Sequence, residues 1–223
     1  MMKFDMHCHT KGGSIDSSVS VEKYVELLSA QGFDGMLITD HDSYKGYRKW
    51  LKSGKKSKGG DFRVLAGIEY DTKDAGHFLV IMPDHLHLKI LQIRGMPVEL
   101  LIHIVHTFGG VLGPAHPFGT RSSSAMFFKK VKQHPEILQK VDFIEGFNTC
   151  ETEKSNYLAT SLAEELGKPS IAGSDAHTEA YVGMAYTVFD CDISSNNDLI
   201  RAIHEGKIAQ WGGRVRNYTR KAK

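Results

Sequence analysis

An α/β barrel is the fold class this sequence predicts, and three observations predict it. Apolar strand-like runs alternate with helically spaced segments about seven times along the chain. Acids and histidines fall after most of those runs and almost never before them. The 223 residues suit one domain, spanning 1–223, with a sizeable core. In a parallel β/α barrel the C-terminal strand ends converge on one face, where the active site sits. The strand ends of a doubly wound open sheet form a line and could not all meet at one cluster.

The elements follow in order. Lys3–Met6 reads as a strand running into His7-Cys8-His9, and residues two apart on a strand point the same way. Ser20 is an N-cap, Val21, Tyr24, Val25 and Leu28 keep helical spacing, and Gly32 ends that helix. Gly35–Thr39 is a buried strand that delivers Asp40-His41-Asp42. A helix over Tyr44–Leu51 leads into a loop, SGKKSKGGD, expected to be mobile. Phe62–Ile68 is a third strand, delivering Glu69. His77–Met82 follows after so short a polar turn that the two must form an antiparallel hairpin, which brings His77 back beside Glu69.

Pro97 opens a helix running to Phe108, and Gly109-Gly110 stops it. Val111–Gly113 delivers His116 in the run GPAHP. Residues 123–133 read as helical, and Val141–Ile144 as a strand followed by Glu145 and Asn148. Lys154–Leu166 is an amphipathic helix stopped by Gly167. Ser170–Gly173 delivers Asp175-Ala176-His177. Tyr186–Asp190 is a last strand and Asn197–Glu205 a last helix.

Composition narrows the function. Net charge is +2, so no whole-chain field argues for nucleic acid or membrane. The basic clusters at Lys52–Lys58 and Arg214–Lys223 read as a solvated loop and a frayed tail. Three cysteines without framework spacing point to a reducing compartment. The first residues hold no signal-peptide h-region and no apolar run approaches a membrane span, so a cytoplasmic location is expected. Histidine stands out at 12 residues, several clustered with acids.

The candidate ligands are His7, His9, Asp16, Asp40, His41, Glu69, His77, His116, Asp175 and His177. Imidazole and carboxylate suit zinc, iron and manganese, and so many ligands exceed what one ion needs. Two or three ions follow, with Glu69 a natural bridge. An HxH pair alone means little: His85-Leu86-His87 is another, in a connection at no strand end. His103 and His106 sit inside a helix and read as structural; His134 and His204 read as surface residues. Cys8 points away from its flanking histidines and reads as a small buried apolar side chain.

The ordered set DMHCHT, ITDHD, AGIE with GHF, GPAHP and GSDAH resembles the motifs of the PHP (polymerase and histidinol phosphatase) superfamily, over Lys3 to about Glu205. The resemblance implies a distorted (β/α)7 TIM-like barrel with a trinuclear site and phosphoesterase activity. It assigns His7, His9, Glu69 and Asp175 to one ion, Glu69, His77 and His116 to a second, and Asp16, His41 and His177 to a third. The family's Ser-Asp-Gly run is Ser14-Ile15-Asp16-Ser17 here.

The implied reaction is attack of metal-activated hydroxide on phosphorus. Asp40 and Asp42 are candidates for orienting ligand histidines or for proton transfer to the leaving group. Arg121 is a candidate phosphate clamp, with Lys11 and Arg48 as weaker ones, and Glu145 and Asn148 are placed to line the pocket. The favoured substrate is a small phosphorylated metabolite or nucleotide. The alternatives are a nucleic-acid-processing PHP domain, an amidohydrolase-type enzyme and a noncatalytic metal-stabilised scaffold.

Overall fold

The computed structural model describes residues 1–54, 61–120 and 122–216. Of the expected basic loop, residues 55–60 therefore lie outside the described residues, as do Arg121 and residues 217–223 of the basic tail. The strands are β1 (Met2–Cys8), β2 (Gly35–Ile38), β3 (Arg63–Ala66), β4 (Ile68–Asp71), β5 (His77–Ile81), β6 (Val111–Pro114), β7 (Ile144–Asn148), β8 (Ser170–Gly173), β9 (Ala185–Phe189) and β10 (Ile208–Gly213). The helices are α1 (Val21–Ala30), α2 (Lys45–Ser53), α3 (Val98–Thr107), α4 (Lys129–Gln133), α5 (Glu153–Leu166) and α6 (Asn196–His204).

Local chemistry explains most of these elements. The Ser20 hydroxyl accepts from the Lys23 N–H and caps α1, whose Val21, Tyr24, Val25 and Leu28 are buried at helical spacing. Thr152 caps α5 in the same way, and Gly167 ends it in the left-handed region. All four residues of β2 are buried, as a strand covered on both faces requires. One core cluster joins Phe4 and Met6 of β1, Leu37 of β2, Leu65 of β3, Leu79 and Ile81 of β5, Val111 of β6 and Ile171 of β8, with Leu199 and Ile203 of α6 packed against them.

The sheets are mixed rather than all parallel. They run in the orders β10-β9-β1-β2-β3, β4-β5-β6 and β7-β8. Neighbours β1/β2, β2/β3 and β7/β8 are parallel. The β4-β5-β6 sheet is antiparallel throughout, and β9 is antiparallel to both β1 and β10. Single bonds tie the sheet edges together: Asp142 N–H to Leu112 O at 2.8 Å, and Asp175 N–H to His7 O at 2.8 Å. An isolated parallel bridge also joins His41 to Glu69.

The strand expected over 62–68 is two strands. Gly67 marks the break: its N–H bonds Ile38 O at 2.7 Å, and a Cβ there would stand 3.1 Å from Val80 O. Before the break the chain pairs parallel with β2; after it the chain pairs antiparallel with β5. Glu69 therefore sits inside a strand, not beyond its end. The strand expected over 141–144 is displaced to β7, which places Glu145 and Asn148 within it. The helix expected over 123–133 is a 3-10 turn at Ala125–Phe127 followed by the short α4. Strand β10 was not expected.

Where β3 and β5 do not pair, the buried Asn196 at the start of α6 fills in for the missing ladder. Its Oδ1 accepts from Ala66 N–H at 3.1 Å, and its Nδ2 donates to Ala66 O and Met82 O, each at 2.7 Å. Asn196→Ala leaves these three backbone groups unpaired, and unmet buried groups cost about 1–3 kcal/mol each before relaxation. Urea denaturation should show a loss of about 2–4 kcal/mol; an unchanged midpoint would remove Asn196 from this role.

Candidate metal centre

The nine expected ligands come from seven places in the chain, and the fold brings them to one site. His7 is the penultimate residue of β1 and His9 follows the strand; both are fully buried. His41 follows β2, Glu69 lies in β4, His77 opens β5, His116 follows β6, and Asp175 and His177 follow β8. Asp16 stands on the loop after β1, 55% exposed at the rim. The hairpin register sets Asp71 opposite His77, which brings the His77 ring back over Glu69.

Glu69 is the centre of the arrangement. Its Oε1 stands 2.9 Å from His77 Nδ1 and 2.9 Å from His116 Nε2. Its Oε2 stands 3.0 Å from His41 Nδ1, 3.2 Å from His9 Nε2 and 3.5 Å from His7 Nε2. Asp175 Oδ1 lies 3.1 Å from His9 Nε2 and 3.6 Å from His7 Nε2. Asp16 Oδ2 lies 3.1 Å from His177 Nε2 and 3.6 Å from His41 Nε2. Three overlapping ligand groups result: His7, His9 and Asp175; His41, Glu69 and His77; His9, His41 and His177. His41 reaches two neighbours at once, Nδ1 toward Glu69 and Nε2 toward Asp16, so it is not confined to the Asp16 and His177 set.

The donor set fits divalent transition ions. His7 Nε2 and His9 Nε2 face one another at 3.0 Å, while their Nδ1 atoms are engaged by Glu145 and Ser14. In neutral rings that apposes two lone pairs, which a shared cation relieves. Ligand atoms about 2.1 Å from one ion stand about 3.0–3.4 Å apart, the spacing seen here. Glu69 Oε2 is buried and accepts no hydrogen bond, as a bridging carboxylate oxygen would be placed.

A further layer holds the imidazoles. Glu145 Oε1 accepts from His7 Nδ1 at 2.9 Å, and its Oε2 accepts from His116 N–H at 2.6 Å and Asn148 Nδ2 at 3.2 Å. Asn148 Nδ2 also reaches Asp175 Oδ2 at 3.2 Å. Ser124 Oγ holds His116 Nδ1 at 3.2 Å. Glu145 and Asn148 thus brace ligands rather than line a pocket. Backbone strain gathers at the site: His116, Asp175 and Asp42 have φ of +31°, +50° and +46°.

Electrostatics follow from burial among opposite charges. Burial opposes ionisation of Glu69, yet His77, His7 and His41 outweigh it and hold the carboxyl well below its usual range. Burial also opposes protonation of His9, but Asp175 and Glu69 outweigh it and hold the imidazole up at about 9. Burial and the neighbouring His9 push His177 down.

A cleft of about 530 Å³ opens over the site, lined by Gly13, Ser14, Ile15, Asp16, His41, Asp42, His77, Gln92 and Arg94. Of the other expected residues only Asp42 lines it. Asp40 is fully buried and bonds Thr10 and Ser14, which removes it from contact with a leaving group. Asp42 touches no ligand imidazole in these bonds; it accepts from Asp71 N–H at 2.9 Å and Arg94 Nε at 3.3 Å. Arg48 binds Gln92 Oε1 at 2.7 Å on the cleft wall. Arg121 lies outside the described residues. His87 packs on Tyr44 and Tyr47, away from the cluster. His106 pairs with Asp142 at 2.9 Å, and His134 and His204 are exposed.

Sequence reasoning missed Arg94, Ser14 and Ser124. Arg94 lies on an irregular segment with no strand end to flag it, and a lone serine in a loop carries no signal of what its hydroxyl touches. Ile15, fully exposed at the cleft mouth, was also unremarked.

Fold and site together define a mixed α/β protein built around a histidine–carboxylate cluster that could hold metal ions. A family profile described as PHP-associated matches residues 153–208. No curated protein matches the chain. Among solved structures, PsfC from Pseudomonas syringae PB-5123 superposes with a TM-score of 0.69 at 20% identity, over 89% of this chain and 87% of that one. A Bifidobacterium adolescentis protein described as a candidate metal-dependent phosphoesterase gives 0.63 at 15%, over 90% and 94%. The lesion-specific endonuclease PfuEndoQ from Pyrococcus furiosus gives 0.70 at 19%, over 95% of this chain but 58% of its own. This chain therefore spans little more than half of that endonuclease. At these identities the likeness is one of fold.

The raised His9 gives a sign for metal uptake. Its folded value, about 9, exceeds the ordinary 6.5. The stabilisation of the metal-free protein by protonated His9 is therefore full below pH 6.5 and lost as pH rises through about 9. An ion that takes Nε2 must displace that proton. Adding Zn²⁺ to metal-free protein at pH 7 should release protons into an indicator dye, and apparent affinity should rise from pH 6 toward pH 9. Uptake without proton release would contradict the assignment of His9 as a ligand.

Proposed function

We propose that this chain hydrolyses phosphate esters using two or three divalent transition ions, zinc, manganese or iron. The proposed ligands are His7, His9, Asp16, His41, Glu69, His77, His116, Asp175 and His177. The observation that carries the reading is the buried Glu69 carboxylate, with imidazoles converging on both of its oxygens beneath an open cleft. We read the three sheets as one distorted (β/α)7 barrel and residues 1–223 as a single domain; the bonds joining the sheet edges support this.

Bound there, the ions would supply Lewis acidity toward phosphoryl oxygens and lower the pKa of water. The chain's own residues do the rest. His41 and His77 line the cleft, with Asp16 at its rim, and fix where a phosphoryl group rests. Arg94 is 67% exposed at the mouth, held by Asp42 through Nε at 3.3 Å and by Asp71 through Nη2 at 3.1 Å. Its remaining N–H groups face an incoming phosphate, the part expected of Arg121. Glu145 and Asn148 keep His7 and Asp175 oriented.

The cleft volume falls within the range of small-molecule sites, about 300–1,000 Å³, which favours a small phosphorylated metabolite or a nucleotide. A nucleic-acid strand is the second reading. Helix α2 carries Lys45, Arg48, Lys49 and Lys52 on one face by helical spacing, no acid lies on it, and Arg48 meets the cleft wall. The fold likeness to a lesion-specific endonuclease points the same way.

Purified protein should carry more than one equivalent of transition metal and hydrolyse a chromogenic phosphate ester. His7→Ala and Glu69→Ala should abolish both properties. A screen of nucleotides, sugar phosphates and short oligonucleotides, with each metal restored to stripped protein, separates the two substrate readings. Wild-type protein with no metal and no turnover of any phosphate ester would overturn the proposal.

A further inference from the structure

One buried hydroxyl connects two of the proposed ligands and is not itself a ligand. Ser14 Oγ lies 3.1 Å from His9 Nδ1, 3.1 Å from Asp40 Oδ1 and 3.1 Å from the backbone nitrogen of His41. A serine hydroxyl has one proton to donate and two lone pairs. The His41 N–H can only donate, so it takes one lone pair. Asp40 Oδ1 already accepts from the Thr10 N–H at 2.6 Å, so it faces Ser14 as an acceptor and takes the hydroxyl proton. The assignment survives either protonation state of Asp40, because a proton on Oδ2 would bind the Thr10 hydroxyl, 2.7 Å away. One lone pair is left, and it faces His9 Nδ1. His9 must therefore carry its proton on Nδ1, which leaves Nε2 as the free donor atom. Nε2 is the atom turned toward Glu69 Oε2 and Asp175 Oδ1.

The slot that holds Asp40 is tightly built. A Cβ on Gly13 would fall 1.7 Å from Asp40 Oδ2, and one on Gly46 would fall 2.2 Å from the same oxygen. Glycine at both positions is what lets the carboxylate approach. No ion pair of Asp40 with a lysine or arginine occurs among the described residues; its partners are Thr10 and Ser14. This fully buried carboxylate holds the Thr10 N–H, the Thr10 hydroxyl and the Ser14 hydroxyl, and of these the Ser14 hydroxyl leads on to the proposed ligands. His7 and His116 are held differently, by Glu145 and by Ser124, so Ser14 governs His9 alone among the imidazoles while also fixing the backbone of His41.

We propose that Ser14, aimed by Asp40, is a positioning residue that fixes the Nδ1–H tautomer of His9 and ties His9 to His41, so that the ions sharing these two ligands depend on it. The proposal rests on the reading of the site as a metal centre. Residues of this outer layer typically change metal affinity by about 10–100-fold. In the full chain, chelator competition with Zn²⁺ should show Ser14→Ala binding about 10–100-fold more weakly than wild type. Asp40→Asn should stay near wild type, because its amide oxygen can still accept from Thr10 and Ser14 while its nitrogen donates to the Thr10 hydroxyl. In Zn²⁺-loaded protein labelled with ¹⁵N-histidine, the His9 Nδ1–H signal should be protected from solvent exchange and lose that protection in Ser14→Ala. If Ser14→Ala does not fold by circular dichroism, Ser14→Cys, similar in shape with a weak acceptor, carries the same test.

A purely structural serine would lower the thermal midpoint and leave the metal affinity of the folded protein and the His9 signal unchanged; that result overturns the proposal. Equal weakening in Asp40→Asn and Ser14→Ala would also overturn it, since the charge of Asp40 and not the hydroxyl's direction would then matter. Wild-type protein that takes up no metal would instead overturn the underlying reading of the site, and the proposal with it.

Discussion

Burial of the Glu69 carboxylate among imidazoles is the constraint on which the rest of this structure depends. A carboxylate removed from water is costly unless cations or donors face it. Here the compensation comes from His7, His9, His41, His77 and His116, carried by or beside four strands, β1, β2, β5 and β6. Without a cation the cluster compensates by protonating, as the raised His9 indicates. A divalent ion meets the same demand more completely, because it can sit against several donors at once. On the proposed reading protons and metal compete for the centre, and the pH of metal uptake follows from that competition.

The fold serves the placement of this one group. A parallel strand would carry Glu69 past the site; breaking the strand at Gly67 turns it instead into an antiparallel hairpin whose second strand begins with His77. The break leaves β3 and β5 unpaired, and Asn196 supplies the backbone bonds that the ladder lacks there. Glu145 and Asn148, lying inside β7 rather than after it, lock His7, the backbone of His116 and Asp175 together from below. Ser14 and Asp40 do the same for His9 and His41. Ligands on mobile loops would lose most of this order; ligands braced from strands keep it.

Much of this was legible in the sequence, for local reasons. Caps such as Ser20, stops such as Gly167 and the buried spacing of α1 are written in adjacent residues, and so was the hairpin, because five residues cannot hold a crossover helix. The ordered motifs hold every residue of the proposed ligand set except Asp16. What was not legible depends on pairing across the chain. Gly67 reads as an ordinary strand residue until its partners change from β2 to β5. Strand β10 is half-exposed and acquires its structure from β9. The hydroxyl of Ser14 and the guanidinium of Arg94 gain meaning only from neighbours distant in the chain, Asp40 for one and Asp42 and Asp71 for the other. Outside that hairpin the sequence suggests parallel strands, because strand direction cannot be read from a short apolar run alone.

Anomalous diffraction from crystals grown with Mn²⁺ or Zn²⁺ tests the central claim most directly. The account predicts at least two ions flanking the Glu69 carboxylate, one against His7, His9 and Asp175 and one against His77 and His116, about 3.5–4 Å apart. Crystals that hold the metal with no ion in contact with Glu69 would contradict it.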